Sequence, residues 1–269
     1  MSSSLSAERI KEFLDIDCCF QPESIELFDE IESTNSHLLA QLATNPKLLP
    51  TICTANHQTA GRGRLDRKWI APAAKSIAVS FSYHFSCLDS RKLPELAILV
   101  AMITAETITS LGAKVELKWP NDLYAEGGKL AGILIETAAL TPHSCNAVIG
   151  IGINYDLPNF SVIDQPIAHL AALLPPPLPS REFIIATLAN RLSQALPIFM
   201  SNGIKPFYPS WLRYDLLLDR EITAYLPDGR IISGTGKGLN QDGTYRLLSN
   251  NRDLVALSFG EVKVRLNKD

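Results

Sequence analysis

The sequence predicts a chain of mixed α and β structure, of the α/β or α+β class, followed by a small all-β unit. Three observations carry this. Segments rich in Val, Ile and Leu alternate with helical stretches through most of the chain. A proline-rich connector, LLPPPLPS at 173–180, interrupts the alternation. Beyond residue 218 the texture changes to short β runs separated by Asp228-Gly229, Asp242-Gly243 and Asn250-Asn251, dipeptides that favour hairpin turns.

In chain order, residues 25–28 and 51–55 read as short strands, and a helix opens between them at Ser33, a good N-cap residue. Residues 76–83, SIAVSFSY, are β-rich and uncharged. Residues 94–111 form a helix with Pro94 in the first turn and Gly112 just past the end. Its apolar run, ELAILVAMITAETI, implies burial against a sheet. Strands follow at 114–119, 130–137 and 147–153. After the connector come a long helix from 181 to about 200, with Pro197 as a bend point, and a shorter aromatic-rich helical piece reaching Tyr214. The five β runs that follow imply a small barrel. The expected division is 1–217 for the mixed α and β unit and 218–269 for the β unit.

Composition excludes several classes. Of 269 residues, 46% are hydrophobic and 20% charged, enough for a real core and incompatible with intrinsic disorder. The 25 basic and 28 acidic residues leave a net charge of −3, which argues against a dedicated nucleic-acid binder. The cysteines (Cys18, Cys19, Cys53, Cys87, Cys145) are odd in number and lack C-x-x-C spacing, and the histidines lack metal-ligand spacing. Neither a disulfide framework nor a zinc site is expected. No basic-then-apolar leader opens the sequence, and the most apolar stretch, 96–105, is about half of what spans a bilayer. A cytoplasmic protein is expected.

The chemistry concentrates in five segments. Residues 58–69, QTAGRGRLDRKW, interleave Gly61 and Gly63 with Arg62, Arg64, Arg67 and Lys68, and end on Trp69. Glycines let backbone N–H groups approach a ligand, guanidinium forks match phosphate or carboxylate oxygens, and an indole can cover a flat ring. The alternative is an exposed, self-solvating basic loop. Mutual repulsion of these cations implies a loop that settles when an anion binds. In Lys118-Trp119-Pro120-Asn121-Asp122, the carboxylate and amide oxygens suit Mg²⁺, although Pro-Asn-Asp is also ordinary turn chemistry. Lys129 stands at the mouth of an apolar strand, either beside a bound anion or as a snorkelling surface lysine. Gly150-Ile151-Gly152-Ile153-Asn154 puts glycines inside a strand, where a ligand or a β-bulge would need them. Ser33-Thr34-Asn35 is N-cap chemistry whose free N–H groups can also hold an anion. The glycine-rich stretch 233–238 lacks the phosphate-loop order and reads as a hairpin or barrel bend.

Together, in this order and spacing, the five segments strongly resemble the biotin protein ligases, also called biotin–[acetyl-CoA-carboxylase] ligases. The resemblance covers about 28–155 and extends more weakly through the C-terminal segment, where that family carries an SH3-like β-barrel. It implies an α+β, mixed-sheet catalytic domain of the biotin/lipoate ligase type. The implied activity joins biotin to a lysine in two steps: biotin and ATP give biotinoyl-5′-AMP, and the carrier lysine then displaces AMP.

Motif by motif, the resemblance assigns Ser33, Thr34, Asn35 and Gln58 to the ureido end of biotin. Gly61, Arg62, Gly63 and Arg64 would close over the biotin carboxylate and the adenylate phosphate, and Gly132 and Gly152 would admit the bicyclic ring. Trp69, Lys118, Asn121, Asp122 and Asn154 fall to ATP, with Asp122 also a metal ligand for Mg²⁺. Lys129 touches both substrates, and Lys129, Arg62 and Arg64 are the expected catalytic residues. The implied partner is the biotin carboxyl carrier domain of a biotin-dependent carboxylase, without nucleic acid or membrane, and a homodimer is compatible. Some family members carry an N-terminal DNA-binding domain. Only 32 residues precede Ser33, so a monofunctional ligase is expected. The rival readings are a lipoate–protein ligase or octanoyltransferase of the same fold, and a non-catalytic biotin- or nucleotide-binding module.

Overall fold

A computed structural model describes residues 4–46, 50–65, 67–70, 72–86, 92–138, 141, 144–157, 166–259 and 263–266. Cys87 and His143 lie outside these residues. The larger sheet contains β1 (Ile25–Ile31), β2 (Ile52–Gln58), β3 (Ser76–Phe85), β4 (Glu116–Lys118), β5 (Asp122–Ala125), β6 (Gly128–Ala138) and β7 (Cys145–Asn154). Their spatial order is β1-β2-β3-β7-β6-β5-β4. β1 and β2 run parallel, and the other neighbouring pairs are antiparallel. A parallel pair needs a crossover, which here contains α2 (Thr34–Thr44). The sheet is mixed, as the α+β expectation has it.

Strand periodicity decides what each face does, because consecutive side chains point to opposite sides. Ile77, Val79, Phe81, Ile149, Ile151 and Ile153 belong to the main core. This face packs against α3 (Leu93–Ser110) and α5 (Arg181–Asn202), and α1 (Ala7–Glu12) packs on α5. Burying each such aliphatic side chain stabilises the fold by roughly 1.5–3 kcal/mol. The alternate residues Cys53 and Val148 join Leu38 and Leu42 of α2 in a small second core. The rest of that second face is left for the site.

By length and composition, α3 and α5 are each apolar enough to cross a membrane, further than the 96–105 stretch alone implied. However, 67% and 56% of their apolar windows are buried inside the fold, so the sheet explains their composition. The proline-rich connector is preceded by one helical turn, α4 (Leu170–Leu173), which the sequence did not signal. The aromatic-rich piece contains α6 (Tyr208–Leu212).

The C-terminal strands are β8 (Glu221–Tyr225), β9 (Ile231–Leu239), β10 (Tyr245–Ser249), β11 (Leu254–Leu257) and β12 (Lys263–Leu266). They form an antiparallel sheet in the order β11-β10-β9-β8-β12. Gly229 and Gly243 have φ of +84° and +77° in the hairpin turns, conformations that favour glycine. This five-stranded antiparallel unit is consistent with the expected SH3-like domain; among the described residues, no ladder joins β11 to β12. The glycine-rich stretch 233–238 lies within β9, not in a hairpin turn, and its pairing with β10 shifts register beside Gly238, whose φ is +77°. Gly236 faces the Leu217 carbonyl so closely that a Cβ there would collide with it.

The two sheets meet around β4. Leu117 donates to the Tyr214 carbonyl at 2.6 Å, and its own carbonyl accepts from Leu216 N at 2.9 Å. Trp119 Nε1 donates to the Gly243 carbonyl at 3.1 Å, and its ring packs on those of Tyr245 and Phe259. The Tyr245 hydroxyl lies 3.1 and 3.0 Å from the two carboxylate oxygens of Asp215.

Candidate functional site

A row of small residues crosses the second face of the large sheet. Ala78 pairs with Gly152 and Gly152 with Gly132, while beside them Ser80 pairs with Gly150 and Gly150 with Leu134. With little side chain to fill it, this row forms the floor of a trough. Over it lies a cavity of about 980 Å³, also lined by the start of α2, the loop after β2, the β4–β5 turn and part of β12.

Polar groups close one end. Thr34 N and Oγ1 both donate to Gln58 Oε1, at 2.8 and 3.0 Å. Ser80 Oγ lies 2.5 Å from Asn35 Oδ1 and 2.7 Å from Thr34 Oγ1. Ser33 caps α2, with its hydroxyl accepting from Ser36 N. Thr34 and Asn35 are almost fully buried, and each is hydrogen-bonded within the protein, as buried polar groups are. Gly150 makes room for Asn35: a Cβ at 150 would overlap the Asn35 amide.

The basic loop roofs the trough as a tight hairpin. Trp69 N donates to the Gly61 carbonyl at 2.9 Å and Gly63 N to the Arg67 carbonyl at 2.7 Å. Gly61 is required by the loop itself, since a Cβ there would sit 2.5 Å from the Trp69 carbonyl oxygen. Gly61 alone among the site residues expected from the sequence does not line the cavity. The two expected catalytic arginines diverge. Arg62 Nη2 donates to Glu136 Oε2 at 2.6 Å, whereas Arg64 Nη1 donates to Asn121 Oδ1 at 2.9 Å. Glu136 therefore offsets part of the repulsion expected within the loop. The Trp69 indole lies directly over Gly152 and beside Gly132, so in this structure the clearance at those glycines is taken by a ring of the protein.

The other end is cationic. Lys129 Nζ donates to Asp122 Oδ1 at 2.7 Å, with both side chains largely buried. Arg64, Arg67, Lys118, Lys129 and Arg265 gather around this single carboxylate, and all line the cavity. Burial pushes the Lys118 ammonium below the usual lysine range, and Lys129, Arg265 and Arg67 push it the same way against the opposing pull of Asp122. Burial likewise raises the Tyr124 phenol to about 12, beneath the Lys118 ammonium. Among the described residues, this cluster has an excess of cations over its one acid, an arrangement whose field attracts anions. Asn154 Nδ2 donates to the carbonyls of Lys129 and Ala168, both at 3.0 Å, which fixes the strand that carries Lys129.

The donors suit Mg²⁺ only in company. Asp122 already engages Lys129, and the Asn121 amide donates to the Ile133 carbonyl while accepting from Arg64. One carboxylate amid cations falls short of the oxygen-rich shell this ion prefers until phosphate oxygens join it.

The family model of the biotin/lipoate A/B protein ligases matches residues 27–154, the part that builds the trough and its roof. The chain is 30% identical over 248 residues to the bifunctional ligase/repressor BirA of Escherichia coli, covering 90% of this chain and 74% of that protein. The chain belongs to the biotin/lipoate A/B protein ligase family. A second relative in the family is the biotin–[acetyl-CoA-carboxylase] ligase of Mycobacterium tuberculosis, 29% identical over 242 residues and covering 88% of each chain. A family structure, the biotin protein ligase of Aquifex aeolicus with biotin and ATP, superposes with a TM-score of 0.75 at 24% identity, covering 91% of this chain and 100% of that one. At that identity it shows the shared fold.

Sequence reasoning missed three contributors. Ser80 was hidden inside an apolar strand run, and only cross-strand register brings it to Asn35. Glu136 had a signal, as the acid ending an otherwise apolar strand run. Arg265 had none, because it arrives from the second sheet. Tertiary folding also brings Glu26, His37 and Cys53 together across β1, α2 and β2, where the sequence showed no metal-ligand spacing. His37 Nε2 lies 2.6 Å from Glu26 Oε2, and burial and Glu26 hold the Cys53 thiol protonated.

Proposed function

We propose that this chain is an ATP-dependent ligase that activates biotin as biotinoyl-5′-AMP and transfers it to a lysine of a biotin carboxyl carrier domain. One observation carries the reading: a single cavity has a buried hydrogen-bonding end and a polycationic end, with Lys129 between the trough and the cations. A ureido ring suits the first end and a triphosphate the second, which places a carboxylate tail beside the α-phosphorus.

In the first step the biotin carboxylate oxygen attacks the α-phosphorus, and the bond to the bridging oxygen breaks to release pyrophosphate. Lys129, freed from Asp122, offsets charge where the two anions meet. Arg64 is held inward by Asn121 toward the same point, and Arg67, Lys118 and Arg265 receive the triphosphate. Positioning and electrostatics of this kind are what phosphoryl and nucleotidyl transfer chiefly require. Asp122 would hold Mg²⁺ together with phosphate oxygens, and the ion would neutralise triphosphate charge. In the second step the carrier lysine, as the free amine, attacks the acyl carbon; AMP leaves and the amine loses a proton. Residues 1–217 would carry both binding ends, and 218–269 would add Arg265. The cytoplasm and an acetyl-CoA carboxylase carrier are the location and partner this reading implies.

The lipoate or octanoate alternative is not favoured. The Mycobacterium tuberculosis relative is a biotin–[acetyl-CoA-carboxylase] ligase, and an alkyl chain or dithiolane would make no use of the polar wall formed by Thr34, Asn35, Ser80 and Gln58. Biotin-dependent ATP–pyrophosphate exchange, followed by avidin blotting of a purified carrier domain, tests the reading. Exchange driven by lipoate or octanoate but not by biotin would overturn it.

A further inference from the structure

We infer that Glu136 is a positioning residue that ties the loop arginine Arg62 to the ureido end of the pocket. This rests on the reading above. Glu136 Oε2 accepts from two donors at once, Arg62 Nη2 at 2.6 Å and Asn35 Nδ2 at 2.9 Å. Asn35 in turn presents Oδ1 to Ser80 and seats its amide in the space left by Gly150. One carboxylate oxygen therefore joins the roof of the trough to a buried wall residue.

The placement follows from strand register. Glu136 pairs with Val148, so it stands on the same face as Leu134, Gly132, Gly150 and Gly152, at the end of the row that forms the floor. Being negative, it does not suit contact with a carboxylate or phosphate, so its place is behind the groups that touch the ligand. Its ion pair with Arg62 is partly exposed, with the two side chains 23% and 41% accessible, and such pairs add little to overall stability. What the pair does is directional. It fixes one guanidinium of the roof and one amide of the wall in a common geometry, so that filling the ureido end and closing the loop become one event.

Glu136 therefore governs biotin and not ATP, whose cations (Lys118, Lys129, Arg265) it does not touch. The test compares Glu136→Ala and Glu136→Gln with the unaltered protein in biotin-dependent ATP–pyrophosphate exchange. A glutamine oxygen can still accept from Asn35, although the ion pair is lost. Glu136→Ala is expected to raise the KM for biotin about tenfold, the scale of a charge-assisted contact discounted for exposure. The KM for ATP should stay within about twofold, since that end keeps its contacts, and Glu136→Gln should recover part of the loss. Hydrogen exchange of residues 60–65 should speed up in Glu136→Ala, and biotin should protect these residues less than in the unaltered protein. A biotin KM unchanged in Glu136→Ala, or both KM values rising together with a lowered melting temperature, would overturn the inference. Absence of exchange in the unaltered protein would instead sink the functional reading itself.

Discussion

Lys129 and Asp122, seven residues apart in sequence, meet across the β5–β6 hairpin with Nζ 2.7 Å from Oδ1. Asp122 pairs in register with Gly132, which has no side chain to intrude on the lysine. The ammonium is thus held by a carboxylate inside a cluster of cations. In the proposed reaction an incoming anion would take over from Asp122, and a contact that strengthens as charge builds at the reacting centre is one that lowers a barrier.

Lys129→Ala should accordingly slow adenylate formation by about 10²–10³. Biotin affinity should change little, because the ureido end is untouched. Supplying chemically made biotinoyl-5′-AMP should restore much of the transfer to carrier. Single-turnover formation of the adenylate at near the unaltered rate would return Lys129 to the status of a surface lysine.

Nucleotide affinity should weaken at alkaline pH earlier than an ordinary lysine would dictate. In the free protein burial and neighbouring cations depress the Lys118 ammonium, and a bound triphosphate would favour its protonated form. Affinity for ATP is therefore greatest below the depressed value and falls as pH rises through it. Lys118→Met should bind ATP more weakly at neutral pH and lose this part of the pH dependence, as calorimetric titrations at several pH values would show.

Gly150→Ala should harm biotin binding more than stability. The new methyl group would overlap the Asn35 amide and displace it from Ser80 and Glu136. A loss of at least tenfold in biotin affinity is expected from losing buried hydrogen bonds of about 1–3 kcal/mol, with ATP binding retained. Equal losses for both ligands would point to a general disturbance of the sheet.

Stability should carry a signature of Asp215, which sits where the two sheets join. Burial raises its carboxyl to about 6, against the lowering effect of hydrogen bonds from Leu217 N and the Tyr245 hydroxyl. The folded value lies above the unfolded one. Its contribution is therefore fully present below about pH 4 and is lost as pH rises through about 6, a change of about 2–3 kcal/mol. Asp215→Asn should flatten that part of the stability–pH curve measured by denaturant titration. An unchanged curve would mean the carboxyl titrates normally.

The sequence by itself determined most of the elements and most of the residues that line the candidate cavity. Ser33 caps α2, the asymmetric ends of α3 fall where Pro94 and Gly112 place them, and five strands follow residue 218. These are local properties, set by side-chain chemistry within a few residues of the backbone they shape. The basic loop, the Lys118–Asp122 segment and Lys129 were legible for the same reason: charge clustered next to glycine or beside an apolar strand is unusual wherever it lies. The tertiary structure decided which groups oppose which. Arg62 and Arg64, two residues apart, turn to Glu136 and Asn121, partners supplied by β6 and by the β4–β5 turn. Gly132 and Gly152 became a single floor only through the antiparallel register of β6 and β7, and Arg265 joined the cations only because the second sheet docks against β4. Pairings of this kind depend on distance through space between residues remote along the chain, which no local pattern of sequence encodes.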